Sequence, residues 1–132
     1  MDENIKSYVV DASFILSYLL PDEETDLNTQ KLFELFKKGE VVFCAPHIIS
    51  FEICNSLKTA VIRKRLTLQQ AQKLIKVFLK YGVLFELTDL PKTFLTAHKY
   101  NITFYDASYI QLAKANKAPL LTLDMKMKQI LR

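Results

Sequence analysis

Glycine is scarce in this chain of 132 residues, and the only two glycines are Gly39 and Gly82. A dinucleotide-binding fold needs a glycine-rich turn after its first strand, but residues 11–14 contain no glycine. The GxxxxGK[ST] loop of nucleotide hydrolases is absent. The GxSxG turn of the α/β-hydrolases is absent as well. The sequence therefore excludes these nucleotide-binding and serine-hydrolase sites.

Cysteine and histidine are equally few. Cys44 and Cys54 form no CxxC pair and stand among apolar residues, so we expect two free, buried thiols in a reducing compartment. His47 and His98 stand alone, and no Cys/His spacing typical of zinc occurs. The chain is therefore predicted to hold neither a disulfide framework nor a zinc site.

Charge and hydropathy set broad limits. The formal net charge of +4 is compatible with a nucleic-acid partner without establishing one. The apolar run at residues 9–20 is interrupted by Asp11 and preceded by acidic residues, whereas a signal peptide begins with basic ones. No segment is long enough to span a bilayer. We expect a cytoplasmic protein without a membrane partner.

Short apolar runs with strand composition alternate with helical patterns along the chain. Strands are predicted at residues 8–10, 41–44, 83–87 and 120–123. Helices are predicted up to Leu20, from Leu27 to Lys38, from Pro46 to Lys64, from Thr67 to Gly82, and onward from Pro91, Thr103 and Met125. Because helices separate apolar strands, we predict an α/β fold. It is one three-layer α/β/α domain over residues 1–132, with a central, mainly parallel sheet of four or five strands.

Three aspartates occupy comparable places in this layout. Asp11 ends the first strand and Asp124 ends the fourth, so both are expected at the carboxyl edge of the sheet, where open α/β folds place their sites. Asp106 lies in the first turn of a helix. Each also has a purely structural explanation: Asp11 and Asp124 can cap the helices that follow them. Asp106 can belong to a capping box that begins at Thr103.

Glu52 lies on the helix that follows Pro46. It is at the margin of the apolar face of that helix, beside a polar strip of Asn55, Ser56 and Thr59. An exposed glutamate whose stem covers apolar surface is the alternative interpretation. Glu52 is therefore a candidate that the helical pattern alone does not decide.

Taken together, the four acids indicate a metal site. Carboxylates that converge in a partly desolvated pocket repel one another, and a cation relieves the repulsion. Oxygen ligands without a histidine or thiolate cluster favour Mg²⁺ or Mn²⁺, which points toward phosphodiester chemistry. A haloacid-dehalogenase-type phosphatase would require a second aspartate where Ser13 stands.

The chain resembles the PIN-domain nucleases, and most closely the VapC-type toxins of prokaryotic toxin–antitoxin pairs. The resemblance covers nearly the whole chain through segments whose order and spacing are more specific than any one of them. These segments are VVDAS at residues 9–13, AP and FEICNSL between residues 45 and 57, TFYDASY at residues 103–109, and LTLD at residues 121–124.

The resemblance implies an endoribonuclease that hydrolyses RNA with Mg²⁺ or Mn²⁺. Asp11 and Asp106 match the principal metal ligands, and Glu52 and Asp124 complete the catalytic cluster directly or through water. The cation would polarise the scissile phosphate and activate an attacking water. The number of ions, the carboxylate that accepts the proton and the RNA target stay open.

Two supporting residues follow from the same resemblance. Ser13 matches a hydroxyl residue expected to hydrogen-bond within the site, and Asn55 matches a polar residue expected to orient Glu52. A serine at a helix start and a surface asparagine are the alternatives.

Basic and aromatic residues are candidates for contact with RNA. Phosphate contacts would come from Arg63, Lys64, Arg65, Lys126, Lys128 and Arg132, although such runs are commonly solvated faces. Tyr105 and Tyr109 flank Asp106 and could each stack a base, with core packing as the alternative.

The resemblance also implies partners, namely an antitoxin bound near the acidic groove and a second copy of the chain in a homodimer. The apolar helices at residues 27–36 and 68–79 could supply an exposed face, or they could belong to the core. The rival interpretations are a PIN-domain nuclease of RNA processing and a non-catalytic binding module with the same fold.

Overall fold

The structure is a computed structural model that describes residues 5–131. The acidic start of the chain and Arg132 therefore lie outside the described residues. The elements are β1 (Lys6–Val10), α1 (Ala12–Leu19), α2 (Leu27–Lys37), β2 (Val41–Pro46), α3 (Ile48–Ile62), α4 (Leu68–Lys80), β3 (Leu84–Glu86), α5 (Leu90–Tyr100), α6 (Phe104–Asn116), β4 (Leu120–Leu121) and α7 (Met125–Ile130). None of the helices within this range could cross a membrane.

The four strands form a parallel sheet in the order β3-β2-β1-β4. The central strand β1 pairs with β2 from Lys6 opposite Val41 onward, and it pairs with β4 through Val9 opposite Leu120. Because every strand points the same way, the ends of β1 and β4 meet at one edge of the sheet. Helices flank the sheet, which confirms the predicted α/β class and the parallel arrangement.

Several boundaries differ from the prediction for local reasons. The last strand ends at Leu121 and not at residue 123, because the Thr122 hydroxyl binds Asp11 and the chain leaves the ladder there. The long helix α3 ends at Ile62, and Lys64 then adopts a left-handed conformation with φ of 59°, which an α-helix does not accommodate.

The helix ends otherwise follow the sequence rules. Gly39 and Gly82 have φ of 75° and 80°, the left-handed conformation in which glycine carries no steric penalty. At the start of α4, Thr67 and Gln70 form the reciprocal capping box that their spacing predicts. Pro91 lies in the first turn of α5, where its missing N–H leaves no bond unmade.

An aromatic cluster fills the core on one face of the sheet. Phe33 of α2 is completely buried and stacks on Tyr18 with the ring centroids 4.1 Å apart. It also packs against Phe14 at 5.3 Å and edge-on against Phe43 of β2 at 5.4 Å. The apolar side of α2 therefore belongs to the core and is not available as a binding face.

The opposite face of the sheet carries α6. Side chains alternate along β2, so Cys44 points away from Phe43, and Asn116 of α6 contacts its sulfur. Both cysteines are free, as predicted, but only Cys44 is buried, whereas Cys54 is partly exposed. Burial raises the pKa of the Cys44 thiol to about 11, with further contributions from Glu86.

We expect Phe33→Ala to lower the free energy of unfolding by about 3–5 kcal/mol, because it removes a buried ring and leaves a cavity. The measurement is denaturant unfolding followed by circular dichroism. The matched control is Phe51→Ala, since Phe51 of α3 is 73% exposed. Equal effects of the two substitutions would contradict the core described above.

Candidate active site

Asp11 joins β1 to α1 and is the most deeply buried acid of the candidate site, with 6% of its surface exposed. Its Oδ1 accepts hydrogen bonds from the Ser13 hydroxyl at 2.7 Å and from the Phe14 N–H at 3.0 Å. Its Oδ2 accepts one from the Thr122 hydroxyl. Burial raises the pKa of Asp11, and Asp124 raises it further, although the three hydrogen bonds act in the opposite direction.

Two hydroxyl groups tie the end of β4 to Asp11. The Ser13 hydroxyl donates to Asp11 and accepts from the Leu123 N–H at 3.0 Å. The Thr122 hydroxyl likewise donates to Asp11 and accepts from the Asp124 N–H at 3.0 Å. Thr122 was not predicted as a residue of the candidate site, although its place two residues before Asp124 at a strand end could have indicated it.

The other two aspartates lie at helix N-termini. Asp124 is exposed and caps α7, because its Oδ1 accepts from the Met127 N–H at 3.1 Å. Asp106 lies in the first turn of α6, and its N–H donates to the Thr103 hydroxyl at 3.0 Å. Burial raises the pKa of Asp106, as does the neighbouring charge of Asp124.

Glu52 reaches the cluster from α3 and is half-buried. Its Oε1 accepts a hydrogen bond from the Tyr109 hydroxyl of α6. Burial raises the pKa of Glu52, and the charges of Asp106 and Asp11 raise it further. Burial and the Glu52 carboxylate also raise the pKa of Tyr109, so the phenol keeps its proton and acts as the donor.

The other residues predicted to act around Asp106 and Glu52 differ from one another in their exposure and contacts. Asn55 is exposed, and within residues 5–131 no hydrogen bond joins it to Glu52. Tyr109 is only 1% exposed, so it is a core residue and cannot stack a base. Tyr105 is exposed beside Asp106 and keeps a free face.

The four carboxylates are close enough for their charges to repel one another. The pKa of Asp11 is raised by Asp124, that of Asp106 also by Asp124, and that of Glu52 by both Asp106 and Asp11. Every acid of the cluster therefore interacts with at least one other, although the four come from different parts of the chain.

The spacing of the acids limits how they could hold an ion. Across residues 5–131, no three Asp, Glu, His or Cys side chains lie close enough together to form a ready-made metal site. Mg²⁺ commonly binds through one or two carboxylates and keeps several waters. The oxygen-only donor set therefore fits a hydrated Mg²⁺ or Mn²⁺ better than a fully protein-coordinated ion.

The predicted basic residues occupy distinct environments. Lys126 lies near enough to Asp106 to lower its pKa. Arg65 is engaged with Asp22 through two hydrogen bonds of 2.9 and 3.0 Å, with Glu23 at 3.7 Å. Of the remaining four, Arg132 lies outside the described residues, and the exposed residues are Arg63, Lys64 and Lys128.

Relatives of this chain are found by sequence. Ribonuclease VapC1 of Mycobacterium tuberculosis is 28% identical over 121 residues, which cover 90% of this chain and 86% of that protein. Ribonuclease VapC3 of Pyrobaculum aerophilum is 24% identical over 119 residues, which cover 90% of each protein.

Solved structures show the same fold. The crystal structure of PAE2754 from Pyrobaculum aerophilum matches with a TM-score of 0.74 and 22% identity, covering 95% of this chain and 84% of that one. VapC20 of Mycobacterium tuberculosis, described as a sarcin-ricin loop cleaving toxin, matches with a TM-score of 0.65 and 14% identity over 93% of this chain and 94% of that one.

A family model described as the PIN domain matches residues 8–131. The match includes all four acids and every described strand except the first two residues of β1. It confirms the resemblance drawn from the sequence motifs, and the chain belongs to the PIN-domain family.

Proposed function

We propose that this protein is a divalent-cation-dependent endoribonuclease and the toxin of a toxin–antitoxin pair. The observation that carries the proposal is that Asp11 and Asp124 follow two neighbouring parallel strands at one edge of the sheet, with Glu52 and Asp106 close enough for the acids to repel one another. The names of the relatives, ribonuclease VapC1 and ribonuclease VapC3, support RNA as the substrate.

In this proposal Asp11 and Asp106 are the principal ligands of Mg²⁺ or Mn²⁺. Asp11 Oδ1 already accepts two hydrogen bonds, whereas Oδ2 accepts one and retains a lone pair for a cation. Asp124 uses Oδ1 to cap α7 and keeps Oδ2. Asp124 and Glu52 contribute directly or through water, which agrees with the absence of a ready-made three-residue metal site among residues 5–131.

The residues of the site each have a part in RNA cleavage. A divalent cation held by Asp11 and Asp106 would polarise the scissile phosphate and offset the charge that develops on it. Asp11 is fixed in advance by the hydroxyls of Ser13 and Thr122, so it does not need to reorganise during the reaction. Lys126 attracts the phosphate beside Asp106, and Tyr105 offers an exposed ring for a base.

The other basic side chains would contribute to RNA binding through contacts with the phosphate backbone. Arg63 and Lys64 are exposed and can approach phosphates, whereas Lys128 is exposed but lies near Asp26. Arg65 would have to leave Asp22 to do so, because both of its hydrogen bonds are committed to that carboxylate. We therefore assign Arg65 the weakest phosphate contact of the group.

Purified protein is expected to cleave RNA in Mg²⁺ or Mn²⁺ and to stop in EDTA. Asp11→Asn and Asp106→Asn are each expected to lower kcat/KM by about 100-fold or more, because each removes a cation ligand. The measurement is initial-rate cleavage of a fluorescent RNA, with circular dichroism to confirm that each variant is folded.

The matched control is Asp89→Asn. Asp89 caps α5 through the Lys92 N–H at 3.1 Å, much as Asp11 caps α1, and asparagine caps helices equally well. Its activity should equal that of the wild type. Equal cleavage by the wild type and both site variants would mean that the activity is a contaminant, and the proposed function would be abandoned.

We propose that the antitoxin binds along a groove that begins beside the acids. The groove is lined by the apolar side chains of Leu16 and Leu20 and by the hydroxyl residues Ser13 and Thr59, and Arg65 lines it as well. Apolar and hydroxyl groups side by side suit an extended or helical peptide segment. A peptide seated there would lie against the end of the catalytic cluster and block RNA.

Induced expression of the wild-type chain is expected to arrest growth, and expression of Asp106→Asn is expected to leave growth unchanged. Co-expression of a cognate antitoxin should restore growth. Arrest by the wild type and by Asp106→Asn alike would contradict the toxin proposal, because the effect would then be independent of catalysis.

A homodimer is part of the same proposal, and an apolar patch at the start of α5 supports it. Leu87 and Phe94 are 88% and 69% exposed, and Leu90 lies one helical turn before Phe94 on the same face. Exposed apolar surface of this kind commonly marks a protein interface. The long apolar helix α4, in contrast, buries Ala71 and Phe78 in the core.

Light scattering after size-exclusion chromatography is expected to give a dimer for the wild type and a monomer for Phe94→Asp. The matched control is Leu79→Asp on α4, where Leu79 is similarly exposed. It should remain a dimer. A monomeric wild type, or a dimeric Phe94→Asp variant, would refute the α5 interface.

A further inference from the structure

A hydrogen bond connects the candidate site to the protein core. The Tyr109 hydroxyl donates to Glu52 Oε1, and the two residues are 57 positions apart in the sequence. Within residues 5–131 it is the one side-chain hydrogen bond between α3 and α6. It therefore couples the helix that carries Glu52 to the helix that carries Asp106.

Tyr109 is placed rigidly for this contact. It lies three residues after Asp106 on α6, so the two side chains share one side of the helix. The ring is almost fully buried, and its neighbours on α6, Ser108 and Ile110, are buried as well. Such packing leaves the hydroxyl little freedom to choose another acceptor.

The Glu52 side chain, in contrast, is less constrained than Tyr109. Its flexible side chain is only half-buried, so it could rotate into solvent. Asp106 and Asp11 repel its carboxylate electrostatically, which favours that rotation when no cation is bound. Among the described hydrogen bonds of the Glu52 side chain, the bond from Tyr109 is the only one that opposes it.

We infer that Tyr109 is a positioning residue that fixes Glu52 Oε1 and leaves Oε2 as the oxygen available to the cation or to its water. This inference rests on the proposed ribonuclease function. It replaces Asn55, which the family resemblance indicated, with a residue on a different helix. Ligand-orienting partners of this kind typically change metal affinity or activity by 10–100-fold when they are removed.

The test is Tyr109→Phe, which removes the hydroxyl and keeps the buried ring. We expect kcat for RNA cleavage to fall by about 10- to 100-fold with little change in KM. We also expect Mn²⁺, titrated into the RNA-free protein and followed by electron paramagnetic resonance, to bind about tenfold more weakly. The matched control is Tyr100→Phe, which removes a phenol that contacts Lys114 on α6. It should match the wild type in both measurements.

A double-mutant cycle separates positioning from a merely structural role. If Tyr109 acts through Glu52, then adding Tyr109→Phe to Glu52→Ala should cause no further loss of kcat or of Mn²⁺ affinity. A further loss equal to that of the single substitution would overturn the inference, because Tyr109 would then act independently of Glu52. Unchanged kcat and Mn²⁺ affinity in Tyr109→Phe would overturn it as well.

A measurement on the unaltered ring covers the case in which Tyr109→Phe does not fold. A buried, hydrogen-bonded phenol should give a slowly exchanging hydroxyl proton in the nuclear magnetic resonance spectrum, with a cross-peak to Glu52 that disappears in Glu52→Ala. Absence of that proton in the wild type would refute the contact. If the wild-type protein binds Mn²⁺ but cleaves no RNA, the proposed ribonuclease function is refuted and the inference about Tyr109 is not. The Mn²⁺ titration and the hydroxyl-proton measurement still test the contact between Tyr109 and Glu52.

Discussion

The mutual repulsion of four carboxylates at one edge of the sheet is the constraint on which the site depends. Burial and neighbouring charge raise the pKa values of Asp11, Glu52 and Asp106 together. A protein gains nothing in stability from such an arrangement without a counter-charge. The fold must therefore hold these side chains in place against their mutual repulsion. Helix N-termini and hydroxyl groups do so.

Helix starts provide much of this support. Asp11 and Asp124 cap α1 and α7, and Asp106 lies in the first turn of α6. The partial positive charge at a helix N-terminus stabilises a carboxylate there. Capping and membership of the acidic cluster are therefore not alternatives, because one oxygen of Asp124 caps its helix while the other stays free for the site. The hydroxyls of Ser13 and Thr122 add donors for Asp11, the most buried member.

The sequence predicted the features that depend on local pattern. Asp11 and Asp124 could be placed because each follows an apolar strand, and parallel strands end at the same edge. The hydrogen bond from Tyr109 to Glu52 could not be predicted, because it depends on how α3 and α6 lie across the sheet. The pairing of Arg65 with Asp22 spans 43 residues and was missed for the same reason. The end of β4 was placed two residues too late because the sequence does not reveal that the Thr122 hydroxyl binds Asp11.

In the proposed site, a divalent cation neutralises the repulsion among the carboxylates at this edge of the sheet. Anomalous diffraction from crystals soaked in Mn²⁺ tests it most directly, because it locates the ion without relying on activity. We expect one or more anomalous peaks between Asp11 and Asp106, with Asp124 and Glu52 contacting the ion or its waters. Crystals that hold Mn²⁺ only elsewhere, with the four carboxylates unliganded at saturating Mn²⁺, would contradict it.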